Sequence, residues 1–206
     1  MTEEERIFRG GLFASEVPEL VEKKRKAHRL SQEYSQLFEE DADRRAAILR
    51  ELLAELGEGS VLLGPIRFHY GCHTRIGSGC FMIFNFTVQE DAKVTIGDRC
   101  AFGPNVTIVT PMHPMLPDER RGIVCADGEA RFLCYATPVT IGSDGWCGAN
   151  VVVCPGVTIG DGCVIGAGSV VTRDIPLLSF AAGVPARVVR PITEADKIAI
   201  RFPELR

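Results

Sequence analysis

The chain has no run of about 18 apolar residues, and so no segment that reads as a transmembrane helix. It has no excess of basic charge either. Its 23 Lys and Arg against 27 Asp and Glu leave a net charge of −4, which argues against nucleic acid as the main partner. The first residues, MTEEERIFRGG, are acidic and lack an apolar core. They do not read as a secretory signal, and the expected location is the cytoplasm. Eight cysteines are present but none forms a CxxC pair, so neither a zinc ribbon nor a thioredoxin-type site is expected. Histidine is scarce, at four. Beyond residue 57 the chain also lacks the 3.6-residue periodicity of helices.

What it has instead is a period of six. From Ile141, every sixth residue is apolar: Cys147, Val153, Ile159, Ile165 and Val171, with Gly142, Gly148, Gly160 and Gly166 one position after four of the six. A period of six fits neither a helix nor a plain strand. It fits a coil in which each hexapeptide is one short strand and one tight corner, three of them closing an 18-residue turn. Such a repeat predicts a parallel β-helix in which each aliphatic stacks on its copy one turn away. The 206 residues, 46% of them hydrophobic and 24% charged, suffice for one such solenoid and an appendage. Cys80, Cys100 and Cys163 fall four positions after repeat-starting isoleucines, and Cys147 is itself a repeat start. These four read as small buried hydrophobes, which suits a reducing compartment. Cys125 and Cys134 fall in a loop, with no cue to a lowered pKa.

The expected organisation is a helical segment over 1–57, a β-helix over 58–190 with a loop at about 109–138, and a tail over 191–206. In the first segment Leu20, Ala27, Leu30, Tyr34 and Leu37 have helical spacing. Asp41 or Asp43 can cap a second helix, whose apolar face is Ile48, Leu52, Leu53 and Leu56 and whose end is marked by Gly57. This pair is expected to shield the open edge of the first coil. The basic run Lys23–Lys26 reads as a solvated face or as the border of a ligand site. The solenoid is expected from near Ser60, in the register Tyr70, Ile76, Met82, Val88, then Ile96, Phe102, Ile108. Counting coils leaves about nine extra residues between Ile108 and Val139. That excursion carries His113 between Met112 and Pro114, in a loop stiffened by Pro111, Pro114 and Pro117. A histidine so placed suits a general base, and equally a hydrogen bond within the loop. Arg173, Arg187 and Arg190 gather near the last coils, as phosphate ligands or as surface charge.

VTIGDRCAFGPNV, TPMHPMLPDER, the long repeat ending in VVTRDIP, AAGVPARVVR and the RGGLF near the start together resemble the maltose/galactoside O-acetyltransferase family, hexapeptide-repeat acyltransferases that include the nodulation-type enzymes. The resemblance covers nearly the whole chain. It implies a left-handed parallel β-helix, a homotrimer with sites between subunits, and His113 as the base that deprotonates an acceptor hydroxyl for direct attack on acetyl-CoA. It further implies the Ala149 backbone N–H as oxyanion donor, Trp146 beside the pantetheine arm, a backbone contact at Ala167, Thr172 and Arg173 near the coenzyme, and Arg187 and Arg190 near its phosphates. No metal is expected.

The acceptor side departs from the family pattern. An Asn–aromatic–Asn run is here Ile83-Phe84-Asn85, and an acidic residue expected just after the N-terminal aromatic is missing, Phe13 being followed by Ala14 and Ser15. His69 replaces the Asp or Ser before Tyr-Gly, while Asp91 matches an acidic acceptor residue. Replacing asparagine by isoleucine removes two donors and an acceptor from the pocket. The expected acceptor is therefore a hydroxyl, or an amine, less polar or differently shaped than maltose or a galactoside. Two other readings compete: a zinc enzyme of γ-carbonic-anhydrase type using His69, His73 and His113, and a trimeric coenzyme-binding scaffold without turnover.

Overall fold

A computed structural model describes residues 1–125 and 128–205. The hexapeptides form strands of two to five residues whose inward side chains stack in three columns. The first face holds Leu56, Ile76, Ile96, Ile141 and Ile159, each on the next. The second holds Leu62, Met82, Phe102, Cys147, Ile165 and Ala181. The third holds Phe68, Val88, Ile108, Val153 and Val171. All but Leu56 are buried. Burying a large aliphatic or aromatic side chain contributes about 1.5–3 kcal/mol, so the columns are the main support of the fold. Cys80, Cys100, Cys147 and Cys163 are buried in the solenoid, as expected from their phase.

Three expectations of register are corrected. Phe68, not Tyr70, opens the third column; Tyr70 lies two residues on, at a corner. The first coil begins at Glu55–Leu56 rather than at Ser60. Leu56 is thus a strand residue, and Gly57 is a corner glycine and not a helix end: a Cβ there would lie 2.4 Å from the Ser78 nitrogen in the next coil. Third, Ile96 pairs directly with Ile141. That step of 45 residues is one 18-residue turn plus about 27 more, so the excursion is three times longer than coil counting suggested.

Three helices precede the solenoid: α1 (Glu3–Phe8), α2 (Pro18–Tyr34) and α3 (Ala42–Leu52). Thr2 and Glu5 form a capping box on α1. Leu20, Ala27, Leu30 and Tyr34 of α2 and Ile48 and Leu52 of α3 face inward. The pair closes the open edge of the first coil. Buried Arg45 donates to the Leu62 and Leu63 carbonyls, each at 2.7 Å, and the Tyr34 hydroxyl donates to Leu62 as well. Edge carbonyls that a further coil would have paired are thereby satisfied. Asp41 stands at the start of α3, but its carboxylate accepts from the Phe38 N–H at 3.1 Å instead of capping that helix.

The excursion is not a bare loop. Pro111–Met112 pairs with Leu133–Ala136, which pairs in turn with Phe13–Ala14 from the N-terminal segment. A short helix, α4 (Pro117–Arg121), and a second strand pair, Ile123–Val124 with Ala130–Arg131, lie between. Ile7, Phe13, Leu20, Tyr70, Ala92, Cys134 and Ala136 form a small second core where segment, excursion and solenoid meet. At the other end, Ser179–Gly183 continues the second face in parallel, and Ala186–Pro191 folds back on it antiparallel. No helix among the described residues is long and apolar enough to cross a membrane.

Candidate active site

His113 follows the Pro111–Met112 strand directly. Its ring is exposed and lies 5.5 Å from the Phe132 ring, on the neighbouring arm of the excursion. Pairing with Leu133–Ala136, itself held by Phe13–Ala14, fixes the base of this segment. Asp91 is 3% exposed, and burial raises its carboxyl pKa against the pull of Lys24, Tyr70, His73 and His113. Beside it the Tyr70 hydroxyl is buried without a formed hydrogen bond. Burial and then the Asp91 charge push its pKa far up. The Tyr70 hydroxyl and the Asp91 carboxylate, within electrostatic reach of the exposed imidazole, together offer a polar ligand one donor and one acceptor.

Glu90 sets the position of this corner. It is fully buried and accepts hydrogen bonds from the backbone N–H groups of His69 and Tyr70, each at 3.2 Å, and of Gly71. Burial pushes it up to about 8, against those three donors. Sequence reading missed Glu90, Tyr70 and His28 as parts of the site, while Lys24 belongs to the basic run it had read as a solvated face or the border of a ligand site. The one available signal was the adjacency of Glu90 to Asp91.

His69 faces His28 of α2, with Nδ1 and Nε2 3.3 Å apart. Burial first, and then Lys24, lower the His69 pKa to about 4, so the pair is neutral at pH 7 and one ring donates to the other. Both line a cavity of about 710 Å³ together with Gln32, Gln36, Arg67 and Gln89. Lys24 reaches the Ser15 carbonyl at 2.8 Å and lies within electrostatic reach of His69 and Asp91, which places one residue of the basic run at the site. Because His69 holds a proton less readily folded than unfolded, it adds stability above pH 6.5 that is lost as pH falls towards 4, up to about 3 kcal/mol. Urea midpoints at pH 7 and pH 5 should therefore fall further in the wild type than in His69→Gln; equal losses would refute this.

Asn85 is engaged at a corner of the coil. It adopts φ 59° at a corner, and its amide donates to Asn105, which donates to Asn150, at 2.9 and 3.0 Å. Ile83, two residues earlier, is half-buried. His69 and His73 are committed to different neighbours, His28 and Glu4 respectively, so no three-histidine cluster forms with His113 among the described residues.

The residues expected at the coenzyme occupy the second face and its flanks. Trp146 is 55% exposed and sits in a cross-strand row with Val164, Phe180 and Arg190. Three strand spacings put Trp146 about 14 Å from Arg190 along the row. Ala149 and Ala167 follow this face at one corner, in successive coils. Thr172 and Arg173 follow the last strand of the third face and are exposed. Arg187 and Arg190 stand on the closing hairpin, but Arg190 is already bidentate to Asp196 at 2.7 and 2.8 Å. An anion binding there must displace or share that carboxylate.

Comparison with known proteins bears on the same surfaces. Residues 6–57 match the maltose acetyltransferase hexapeptide capping motif, and residues 138–173 the hexapeptide repeat of succinyl-transferase. The chain is 40% identical over 193 residues to the galactoside O-acetyltransferase of Escherichia coli strain K12, covering 94% of this chain and 91% of that protein. The chain is an acetyltransferase of the maltose/galactoside family. It is also 38% identical to nodulation protein L of Rhizobium meliloti, over 91% of this chain and 97% of that one. A galactoside acetyltransferase solved in complex with coenzyme A superposes with a TM-score of 0.87 at 39% identity, over 95% of this chain and 94% of that one. A hexapeptide-repeat acetyltransferase from Vibrio cholerae, solved with acetyl coenzyme A, does so at 0.83 and 32%, over 94% and 100%. For this family member the mainly β solenoid and helical cap read from the sequence hold.

Proposed function

We propose that this acetyltransferase moves an acetyl group from acetyl-CoA to a hydroxyl of a small, sugar-like acceptor, with His113 as general base, at sites between the subunits of a homotrimer. The observation that carries the reading is that His113, exposed directly after the Pro111–Met112 strand, lies within electrostatic reach of the buried Asp91 carboxylate and its neighbour Tyr70. His113 takes the acceptor proton as the oxygen attacks the thioester carbonyl. The Ala149 N–H stabilises the oxyanion, and collapse expels the coenzyme A thiolate, which recovers the proton from His113. The base contributes about 10²–10⁴-fold. Holding both substrates together removes much of the entropic barrier.

Trimer formation is supported by the outer side of the second face. Val61, Phe81, Ala101, Trp146, Val164 and Phe180 lie outward in register across it, and Val61, Phe81 and Trp146 are among the exposed large hydrophobics. The first face presents Arg75, Thr95, Thr140 and Thr158 instead. A continuous apolar stripe of this kind suits a subunit contact. Trp146 and Phe180 then border a cleft between subunits that the coenzyme arm follows.

The deciding experiment is coenzyme A thiol release from acetyl-CoA across sugars, amines and small alcohols, with the oligomer measured by light scattering. Acceptor-dependent release by a trimer supports the reading. Coenzyme binding without release on any acceptor would favour the scaffold. Ile83 is expected to disfavour simple sugars, so Ile83→Asn should raise kcat/KM for maltose or a galactoside by about 5–150-fold, the equivalent of one regained hydrogen bond of 1–3 kcal/mol. An unchanged ratio would show that Ile83 does not face the acceptor.

A further inference from the structure

On the first face, at the corner after Tyr70, three potential ligands from two parts of the chain meet. Glu4 of α1 offers a carboxylate oxygen, Cys72 its Sγ and His73 its Nε2, and these atoms all lie within 4.8 Å of one another. We infer that Glu4, Cys72 and His73 form a zinc site that fastens the N-terminal helix to the solenoid.

The second shell supports this. His73 Nδ1 lies 3.0 Å from the Glu90 carbonyl oxygen. A carbonyl can only accept, so Nδ1 carries the hydrogen and the Nε2 lone pair is directed at Glu4, 2.8 Å away. Two acceptors face each other there, and the gap is closed by a proton on Nε2 or by a cation. An Nδ1–H held by a backbone carbonyl is the usual way a zinc-binding histidine is oriented. The ring is also fixed on both sides, stacked on Tyr70 at 4.7 Å and edge-on to Phe8 at 4.9 Å. Its placement needs no metal to create it.

Tetrahedral zinc with bonds of about 2.0–2.3 Å holds its donors roughly 3.3–3.7 Å apart. Glu4 and His73 must open slightly and Cys72 must close, within the reach of side-chain rotation. Glu, Cys and His make a borderline-soft set that suits zinc over magnesium or calcium. The fourth position opens on a cavity of about 390 Å³, which Lys93 and Thr95 also line, and water fills it. Lys23 donates to the same Glu4 oxygen that His73 contacts, at 2.7 Å, so the metal displaces that ammonium or takes the other carboxylate oxygen. Cys72 is exposed, and zinc binding to its sulfur releases the thiol proton to solvent.

The test is metal-depleted full-length protein under reducing conditions, titrated with Co²⁺ and then Zn²⁺. One equivalent per chain is expected, with a near-ultraviolet thiolate-to-cobalt charge-transfer band that one equivalent of zinc abolishes. The band should vanish in Cys72→Ser and in His73→Ala, while Cys125→Ser keeps it. Zinc should raise the melting temperature of the wild type and not that of Cys72→Ser. Coenzyme A binding by each variant reports whether it is folded. No charge-transfer band in folded wild type, or a band that survives Cys72→Ser, would overturn the site and leave a protonated His73–Glu4 pair in its place.

Discussion

Replacing His113 by alanine is expected to lower kcat by about 10²–10⁴-fold while leaving acetyl-CoA affinity and melting temperature nearly unchanged. The separation follows from where the side chain stands. Its ring is exposed and its one described ring contact is Phe132, so truncation removes little buried area and leaves no cavity. The row through Trp146, Phe180 and Arg190, where the coenzyme is proposed to bind, lies on another face. What is lost is the group that takes the hydroxyl proton, a contribution made in the transition state and hardly at all in the ground state. Steady-state kinetics with the best acceptor, coenzyme titration and a thermal melt test the three parts separately. A rate within a factor of a few of wild type would remove His113 from the mechanism. Loss of coenzyme affinity or of melting temperature would recast it as structural.

The largest stability effect is expected at Gly71. Its φ is +68°, and an added Cβ would lie 2.4 Å from the Leu52 carbonyl oxygen and 2.5 Å from Leu52 Cδ1. Gly71→Ala therefore meets two costs. The left-handed conformation accounts for about 1–2 kcal/mol, and the collision between the corner and the end of α3 for about 1–3 kcal/mol. The total, roughly 2–5 kcal/mol, is a large part of a typical domain's stability. Gly10 supplies the control: its φ is +72°, but nothing lies within 4 Å of an added Cβ, so Gly10→Ala should show only the conformational cost. Urea midpoints of the two variants measure the difference. If both fall equally, the contact with Leu52 relaxes freely and steric crowding at that corner is not what selects glycine.

The six-residue period was legible because its cause is local. Each strand needs one inward aliphatic and each corner one small or left-handed residue, so Ile141, Cys147 and Val153 announce themselves in sequence order. Phase was harder at the start. Tyr70 follows the period with Ile76 as well as any residue, but coils of 20 residues shift the corner, and Phe68 takes the column. The length of the excursion could not be counted at all, since a step of 45 residues is one turn and 27 or two turns and nine, and only the pairing of Ile96 with Ile141 decides. Within the site, His113 and Asp91 carried a motif. Glu90 and Tyr70 did not, because a carboxylate that gathers three backbone N–H groups leaves no pattern along the chain. Asn85 shows a second role that the motif did not announce, as the first member of a corner ladder through Asn105 and Asn150.

The strand pairing beneath His113 reaches furthest along the chain. Neighbouring rungs of the solenoid are 16, 18 or 20 residues apart, or 45 where the excursion intervenes, whereas Phe13 meets Cys134 across 121 residues. Closing that longer span costs about 1.6 kcal/mol more in chain entropy than closing a rung, and two residue pairs with the small second core around Phe13 and Cys134 repay it. Activity and architecture thus rest on bonds of different durability. The coil is a stack of short, mutually reinforcing closures, while the arm carrying His113 depends on one long closure. In a urea titration, activity is therefore expected to fall at a lower concentration than the β-sheet circular dichroism; coincident midpoints would show that arm and coil unfold as one unit.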